Sequence, residues 1–176
     1  MGGDNGKPTG TGNKESAMTD GTQKKLKICF AASSGGHLEE ISRLTGVKEG
    51  RDCFLITEKS DFSDISFCEN VYYVNQINRK QVTFIPCFIQ LFFRCRKILR
   101  TEKADCVLTT GALMGYAAAL AGKLMGKKII YIESFARVDT ASLTGRMIHP
   151  IADLFIVQWE DGLKFFPKAV YGGAAY

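Results

Sequence analysis

Apolar runs alternate along this chain with stretches of helical period, beginning near Leu26. Residues 26–32 (LKICFAA) are apolar almost throughout and predict a strand buried on both faces. The run enters a Gly-rich turn, Ser33-Ser34-Gly35-Gly36, and a helix is predicted over about 37–44. Residues 53–57 and 71–74 predict two more strands, and a long helical stretch covers about 82–101. A fourth strand at 106–109 is closed by Thr110-Gly111, and a helix of small residues follows over about 112–125. Residues 128–132 and 154–157 complete the strands. Strands of this kind, separated by helices, indicate a parallel sheet covered on both sides. The expected fold is a Rossmann-like, doubly wound α/β domain over 26–176. Residues 1–25 are rich in Gly, Thr, Asn and Lys and read as a disordered leader or an expression remnant.

The chain has 176 residues, 45% of them hydrophobic, which suffices for one domain with a core and not for two. Its six cysteines form no C-x-x-C pair, and with two histidines no zinc pattern arises, so no metal is expected. Most cysteines lie in apolar runs and read as small buried hydrophobes of a reducing compartment.

In doubly wound sheets, ligands bind at the carboxyl ends of the strands. Three groups of unusual residues fall there: 33–37, 109–111 and 133–137. Ser34, Gly35 and Gly36 lead into a helix start, which suits a phosphate or diphosphate, although neither the dinucleotide fingerprint nor a P-loop is present. The alternative is a plain strand-to-helix turn capped by Ser34. His37, in the first helical turn, is a candidate general base. Glu133 follows a buried strand and is the second candidate base, with Ser134 and Arg137 beside it; a simple Glu133–Arg137 surface pair is the alternative.

Charge is uneven. Six of the 23 basic residues and none of the 18 acidic ones fall within 71–101, so the remainder of the chain nets −1. On a helix, Phe84, Phe88, Leu91, Phe92 and Cys95 form one stripe and Ile85, Ile89 and Phe93 an adjacent one, followed by Arg94, Arg96 and Lys97. This apolar arc exceeds one packing face, is too short to span a bilayer, and ends in cations. It fits a helix lying at an anionic membrane surface, near 82–100; a core helix with a solvated basic end is the alternative. Phe and Ile interleave there with few polar donors, so nucleic acid is not the expected partner.

The ordered motifs resemble a known family. Ser34-Gly35-Gly36-His37 follows the first strand. Tyr131-Ile132-Glu133-Ser134 precedes Arg137-Val138 and Ser142-Leu143-Thr144-Gly145. Phe155-Ile156-Val157-Gln158-Trp159 leads to Pro167-Lys168 and Val170-Tyr171-Gly172-Gly173. Together they are similar to the Alg-fourteen-like oligosaccharide biosynthesis family, from about Leu26 to Tyr171. Its bacterial PssD- or CpsF-type capsule and exopolysaccharide members look most similar, since eukaryotic members carry an N-terminal membrane helix that is not evident here.

The resemblance implies the N-terminal half of a GT-B glycosyltransferase of the MurG type. A separate C-terminal-half subunit (Alg-thirteen-like, or PssE- or CpsG-type) would hold the UDP-sugar, so this chain binds no cofactor of its own. This half would bind a lipid-diphosphate-linked saccharide at the cytoplasmic face of the membrane. Transfer would be inverting, with Glu133 or His37 as base and no metal. Gly111 is the one family position retained after the fourth strand, and Arg79 matches a basic loop position. Gln158, Trp159, Tyr171 and Gly172 are candidates for the subunit interface. A non-catalytic adaptor that recruits the transferase is a further expectation, and a stand-alone nucleotide-dependent Rossmann enzyme a weaker one.

Overall fold

The computed structural model describes residues 2, 25–59, 66–77 and 82–174. Apart from residues 2 and 25, the expected leader lies outside the described residues, as does Arg79. Seven strands form one sheet in the order β3-β2-β1-β4-β5-β6-β7, each pair parallel. The strands are β1 Lys27–Ala32, β2 Asp52–Glu58, β3 Asn70–Val74, β4 Cys106–Thr109, β5 Lys128–Ile132, β6 Leu154–Val157 and β7 Val170–Tyr171. The helices are α1 Gly36–Ser42, α2 Thr45–Lys48, α3 Phe84–Thr101, α4 Ala112–Leu124 and α5 Leu143–Ile148, with a 3-10 turn at Glu160–Lys164.

The double cover follows from strand alternation. In β1, Cys29 and Ala31 join a core shared with α3, α4 and α5, while Ile28, Phe30 and Ala32 join a second core with Leu38 and Ile41 of α1. Both sides are apolar, which is why β1 reads as an unbroken hydrophobic run. Ala117, Ala118 and Ala121 of α4 are fully buried, and their small side chains bring that helix close to the sheet.

Helix α3 divides its two stripes. Leu91, Cys95, Ile98 and Leu99 are buried, and Phe88 stacks on Tyr116 of α4 with ring centroids 6.0 Å apart. The other stripe stays outside: Ile85, Ile89 and Phe93 are 68%, 49% and 58% exposed. The same line continues along the helix as exposed Arg96 and Arg100.

Strand order reverses between β1 and β4. Their carboxyl ends therefore open a crevice at the topological switch point, where doubly wound sheets bind ligands. Helices α3 and α4 run back against the strands, so their first turns lie on this same edge.

Candidate active site

The crevice is built from the ends of four strands. After β1, the chain turns through Gly35 (φ 87°), whose carbonyl accepts the N–H groups of Leu38 and Glu39, each at 3.0 Å. Gly35 itself occupies the capping position of α1 and no side chain caps it, so Ser34 does not play the cap role its position suggested. A Cβ on Gly35 or Gly36 would meet no atom within 4 Å, so the loop faces open space.

Ser33 and Ser34 turn instead to Glu58 at the end of β2. The Ser34 backbone and the Ser33 side chain lie close enough to its carboxylate to favour the charged form. Burial pushes the Glu58 carboxyl above its ordinary value, and the serine contacts offset part of this. Sequence reasoning missed Glu58, although an acid closing an apolar strand is the same signal that singled out Glu133.

His37 stands in the first turn of α1, half-buried. Its carbonyl accepts the Thr110 hydroxyl at 3.0 Å, which ties the β1 and β4 loops together. Its ring Cε1 lies 3.4 Å from where a Cβ on Gly111 would sit, and Tyr131 Oη lies 3.2 Å from the same point. With φ 124° as well, position 111 accepts only glycine without strain.

One helical turn beyond, Glu40 places Oε2 3.7 Å from His37 Nδ1. Its Oε1 accepts the Ser134 hydroxyl at 2.7 Å and the Phe135 N–H at 3.0 Å. Burial is the largest single influence on Glu40 and acts upward. The contacts from His37, Ser134 and Phe135 together outweigh it and hold the carboxyl below its ordinary value. Glu40 was also missed; its spacing from His37, one helical turn, was the available signal. Between α1 and the β5 exit lies a cleft of about 390 Å3, lined by Gly36, Glu39, Glu40, Arg43, Phe135 and Ala136.

Glu133 is 3% exposed, and its carboxylate is engaged on both oxygens. Oε1 accepts from the Tyr131 hydroxyl and the Ser134 N–H, each at 3.1 Å. Oε2 accepts from the Ser142 hydroxyl at 3.0 Å and its N–H at 3.4 Å. Burial, then the Glu133 charge, push the Tyr131 hydroxyl well above its ordinary value, so it remains a donor. Ser142 caps α5 by accepting the Gly145 N–H at 2.8 Å. A Cβ on Gly145 would come within 2.2 Å of Glu133 Oε2. The Ser142–Gly145 segment, which had no assigned chemistry, is thus the seat of this carboxylate. Among the described residues Arg137 makes no ion pair with Glu133; it is exposed, its N–H closing a turn onto Ser134 O at 2.9 Å.

Two of the four interface candidates are turned inward. Gln158 is 3% exposed and donates to the Glu133 carbonyl at 3.0 Å. Trp159 donates to the Phe135 carbonyl at 2.8 Å and packs its ring on that of Phe135. Tyr171 and Gly172, on and beside edge strand β7, are exposed.

The family described as "Oligosaccharide biosynthesis protein Alg14 like" matches residues 28–175. The mouse protein "UDP-N-acetylglucosamine transferase subunit ALG14" is 30% identical, the match covering 86% of this chain and 83% of the relative. A fission yeast (Schizosaccharomyces pombe) protein of the same description is 46% identical over 76 residues, 43% of this chain and 34% of the relative. Among solved structures, Acinetobacter baumannii MurG aligns with TM-score 0.60 at 16% identity, over 76% of this chain and 41% of MurG. A Neisseria meningitidis UDP-GlcNAc 2-epimerase bound to UDP-GlcNAc aligns with TM-score 0.67 at 12% identity, over 85% and 47% respectively. The chain therefore spans less than half the length of these solved chains.

Proposed function

Because this chain belongs to the family of Alg14-like oligosaccharide biosynthesis proteins, we propose that it is the acceptor-binding subunit of a two-subunit, inverting glycosyltransferase of GT-B type. The donor is UDP-GlcNAc, bound mainly by the partner, which supplies the C-terminal half. The acceptor is a lipid-diphosphate-linked saccharide at the cytoplasmic face of a membrane. The animal and fungal relatives favour the lipid-linked oligosaccharide setting over the capsule setting.

The observation that carries this reading is the placing of His37. It sits at the switch-point crevice, between the starts of α1 and α4, on the edge where α3 also begins. Nδ1 is buried against Glu40, which leaves Nε2 as the nitrogen for the acceptor. In the proposed step Nε2 takes the proton of the acceptor hydroxyl. The oxygen attacks the anomeric carbon of GlcNAc, the bond from that carbon to the diphosphate breaks, and UDP leaves with the electron pair. Glu40 steadies the imidazolium that forms. The helix starts at Gly36 and Ala112 offer N–H groups and positive dipole ends to a diphosphate. Glu133 acts as a brace: it fixes the 133–142 loop that carries Ser134, and through Ser134 it sets Glu40.

Among the described residues no helix is long and apolar enough to cross a membrane. The exposed stripe Ile85, Ile89 and Phe93, joined by Leu124 of α4 (68% exposed) and followed by Arg96, Lys97 and Arg100, supports contact with a bilayer surface. A non-catalytic adaptor is the second reading, favoured by one observation: the Glu133 carboxylate is wholly committed within the fold.

Calorimetric titration of the isolated chain with a lipid-diphosphate-linked GlcNAc in detergent, and separately with UDP-GlcNAc, tests the division of labour. Binding of the acceptor with little or none of the donor is expected. Tight UDP-GlcNAc binding by this chain alone would place the donor site here and overturn it.

A further inference from the structure

A second cavity, of about 200 Å3, opens where β3 leaves the sheet and meets α3. Asn75, Gln76 and Ile77 line it from the strand exit, and Gln90, Leu91 and Arg94 from the helix. Resting on the reading above and going beyond it, we infer that this cavity holds the diphosphate of the lipid-linked acceptor, with Arg94 as its cation.

Charge is the first argument. Arg94 donates from Nη2 to the Tyr73 carbonyl at 2.8 Å, which anchors one edge of its planar fork and leaves further N–H groups for a ligand. No Asp or Glu occurs within residues 71–101, and among the described residues no carboxylate forms an ion pair with Arg94. The Gln90, Asn75 and Gln76 amides add neutral donors around it. A fixed cation ringed by amides suits phosphate oxygens.

Size and shape are the second. Whole-substrate pockets take roughly 300–1,000 Å3, so this one has room for a headgroup and not for a saccharide with its lipid. It is lined by no aromatic ring on which a sugar or a base would stack.

Position is the third. Ile89 and Phe93, the exposed membrane-facing residues, precede Gln90 and Arg94 directly on α3. A phosphate held here therefore lies at the headgroup level of the bilayer. In the other direction, β3 is two strands from β1, about 10 Å at ordinary strand spacing. The cavity and the His37 crevice thus lie along one edge of the sheet, and the saccharide attached to that diphosphate extends along it toward His37.

Bilayer phospholipids offer the same phosphate chemistry, so the test separates the two sources. The full chain is titrated with farnesyl diphosphate, with farnesol, and with vesicles of phosphatidylcholine and phosphatidylserine. The wild type is compared with R94Q, R94K, Q90L and R96Q. All four substitutions fall at exposed positions, so wild-type melting is expected throughout.

Farnesyl diphosphate binds and farnesol does not compete with it at equal concentration. R94Q weakens diphosphate binding roughly tenfold or more, Q90L and R94K weaken it less, and R96Q leaves it unchanged. Vesicle binding falls no further in R94Q than in R96Q. Failure of the wild type to bind farnesyl diphosphate, or an unchanged affinity in R94Q, would overturn the inference. So would a loss of vesicle binding in R94Q that matches its loss of the diphosphate, since the cavity would then serve bilayer headgroups. Arg94-dependent binding without any sugar transfer by the two-subunit enzyme would keep the diphosphate site and remove the transferase reading instead.

Discussion

His37 Nδ1 lies 3.7 Å from Glu40 Oε2, one helical turn away on α1, at the mouth of the crevice between β1 and β4. The other oxygen of Glu40 is held by Ser134 and Phe135 beyond β5. An imidazole on one strand exit is thereby positioned by a loop from another. The same two loops are bridged a second time through Thr110.

If His37 is the base, H37A lowers kcat of the two-subunit enzyme at least about 100-fold while leaving the KM for UDP-GlcNAc nearly unchanged. E40Q keeps the hydrogen-bond acceptor for Ser134 and removes the charge beside the ring. It lowers kcat about tenfold, because the imidazolium that forms in the step loses its counter-charge. Steady-state kinetics across pH check both. Wild-type kcat in H37A would refute the assignment.

Glu133 is the opposite case. Its carboxylate serves the Tyr131 hydroxyl, Ser142 and the Ser134 N–H in a site only 3% exposed. E133A leaves these donors without their acceptor and costs about 3 kcal/mol or more, measured by urea unfolding. E133Q costs about 1–3 kcal/mol, and its remaining activity keeps the wild-type pH–rate profile. A stably folded E133Q that is at least about 100-fold slower and has lost a limb of that profile would make Glu133 the base after all.

Two carboxylates at the site respond to pH with opposite sign. Glu40 sits below the ordinary 4.5 in the folded chain, so its stabilisation is complete well above that value and is lost as pH falls through the folded one. E40Q is therefore less stable than wild type at pH 7, and the difference closes in acid. Glu58 sits above 4.5, so its ionisation opposes folding at higher pH and the penalty lifts as pH falls toward 4.5. E58Q is accordingly more stable than wild type at pH 7, with a gain that shrinks on acidification. Melting temperatures of the three proteins from about pH 2.5 to about pH 8 show whether the two curves diverge this way.

The exposed stripe of α3 makes a prediction about surfaces. Replacing Ile85, Ile89 and Phe93 together by Ser leaves melting nearly unchanged, since all three lie outside the core. It weakens binding to anionic vesicles at least about tenfold. Replacing Arg96, Lys97 and Arg100 by Gln weakens it by about 1 kcal/mol per cation and removes most of its salt dependence. Vesicle flotation at low and high salt distinguishes the two sets. Full vesicle binding by the Ile85/Ile89/Phe93 variant would return the stripe to a different use.

The sheet was readable because its strands are buried on both sides: the runs at 106–109, 128–132 and 154–157 coincide with β4, β5 and β6. Helix α5 and strand β7 were not, since six and two residues are too short to show a period. At the site, periodicity located His37, Gly111 and Glu133 on one edge but carried no information on partners. Whether a carboxylate is free or committed depends on what folds over it. For Glu133 that is Ser142 and Gly145, nine and twelve residues on and brought back by α5. Gln158 looked like a surface residue for the same reason, since its burial depends on the Glu133 carbonyl across the sheet edge.

The most direct measurement is transfer of GlcNAc from UDP-GlcNAc to a lipid-diphosphate-linked saccharide, by this chain, by its candidate C-terminal-half partner, and by the two mixed. The account predicts product only from the mixture, and its loss when H37A replaces the wild type. Full activity from either protein alone would contradict it.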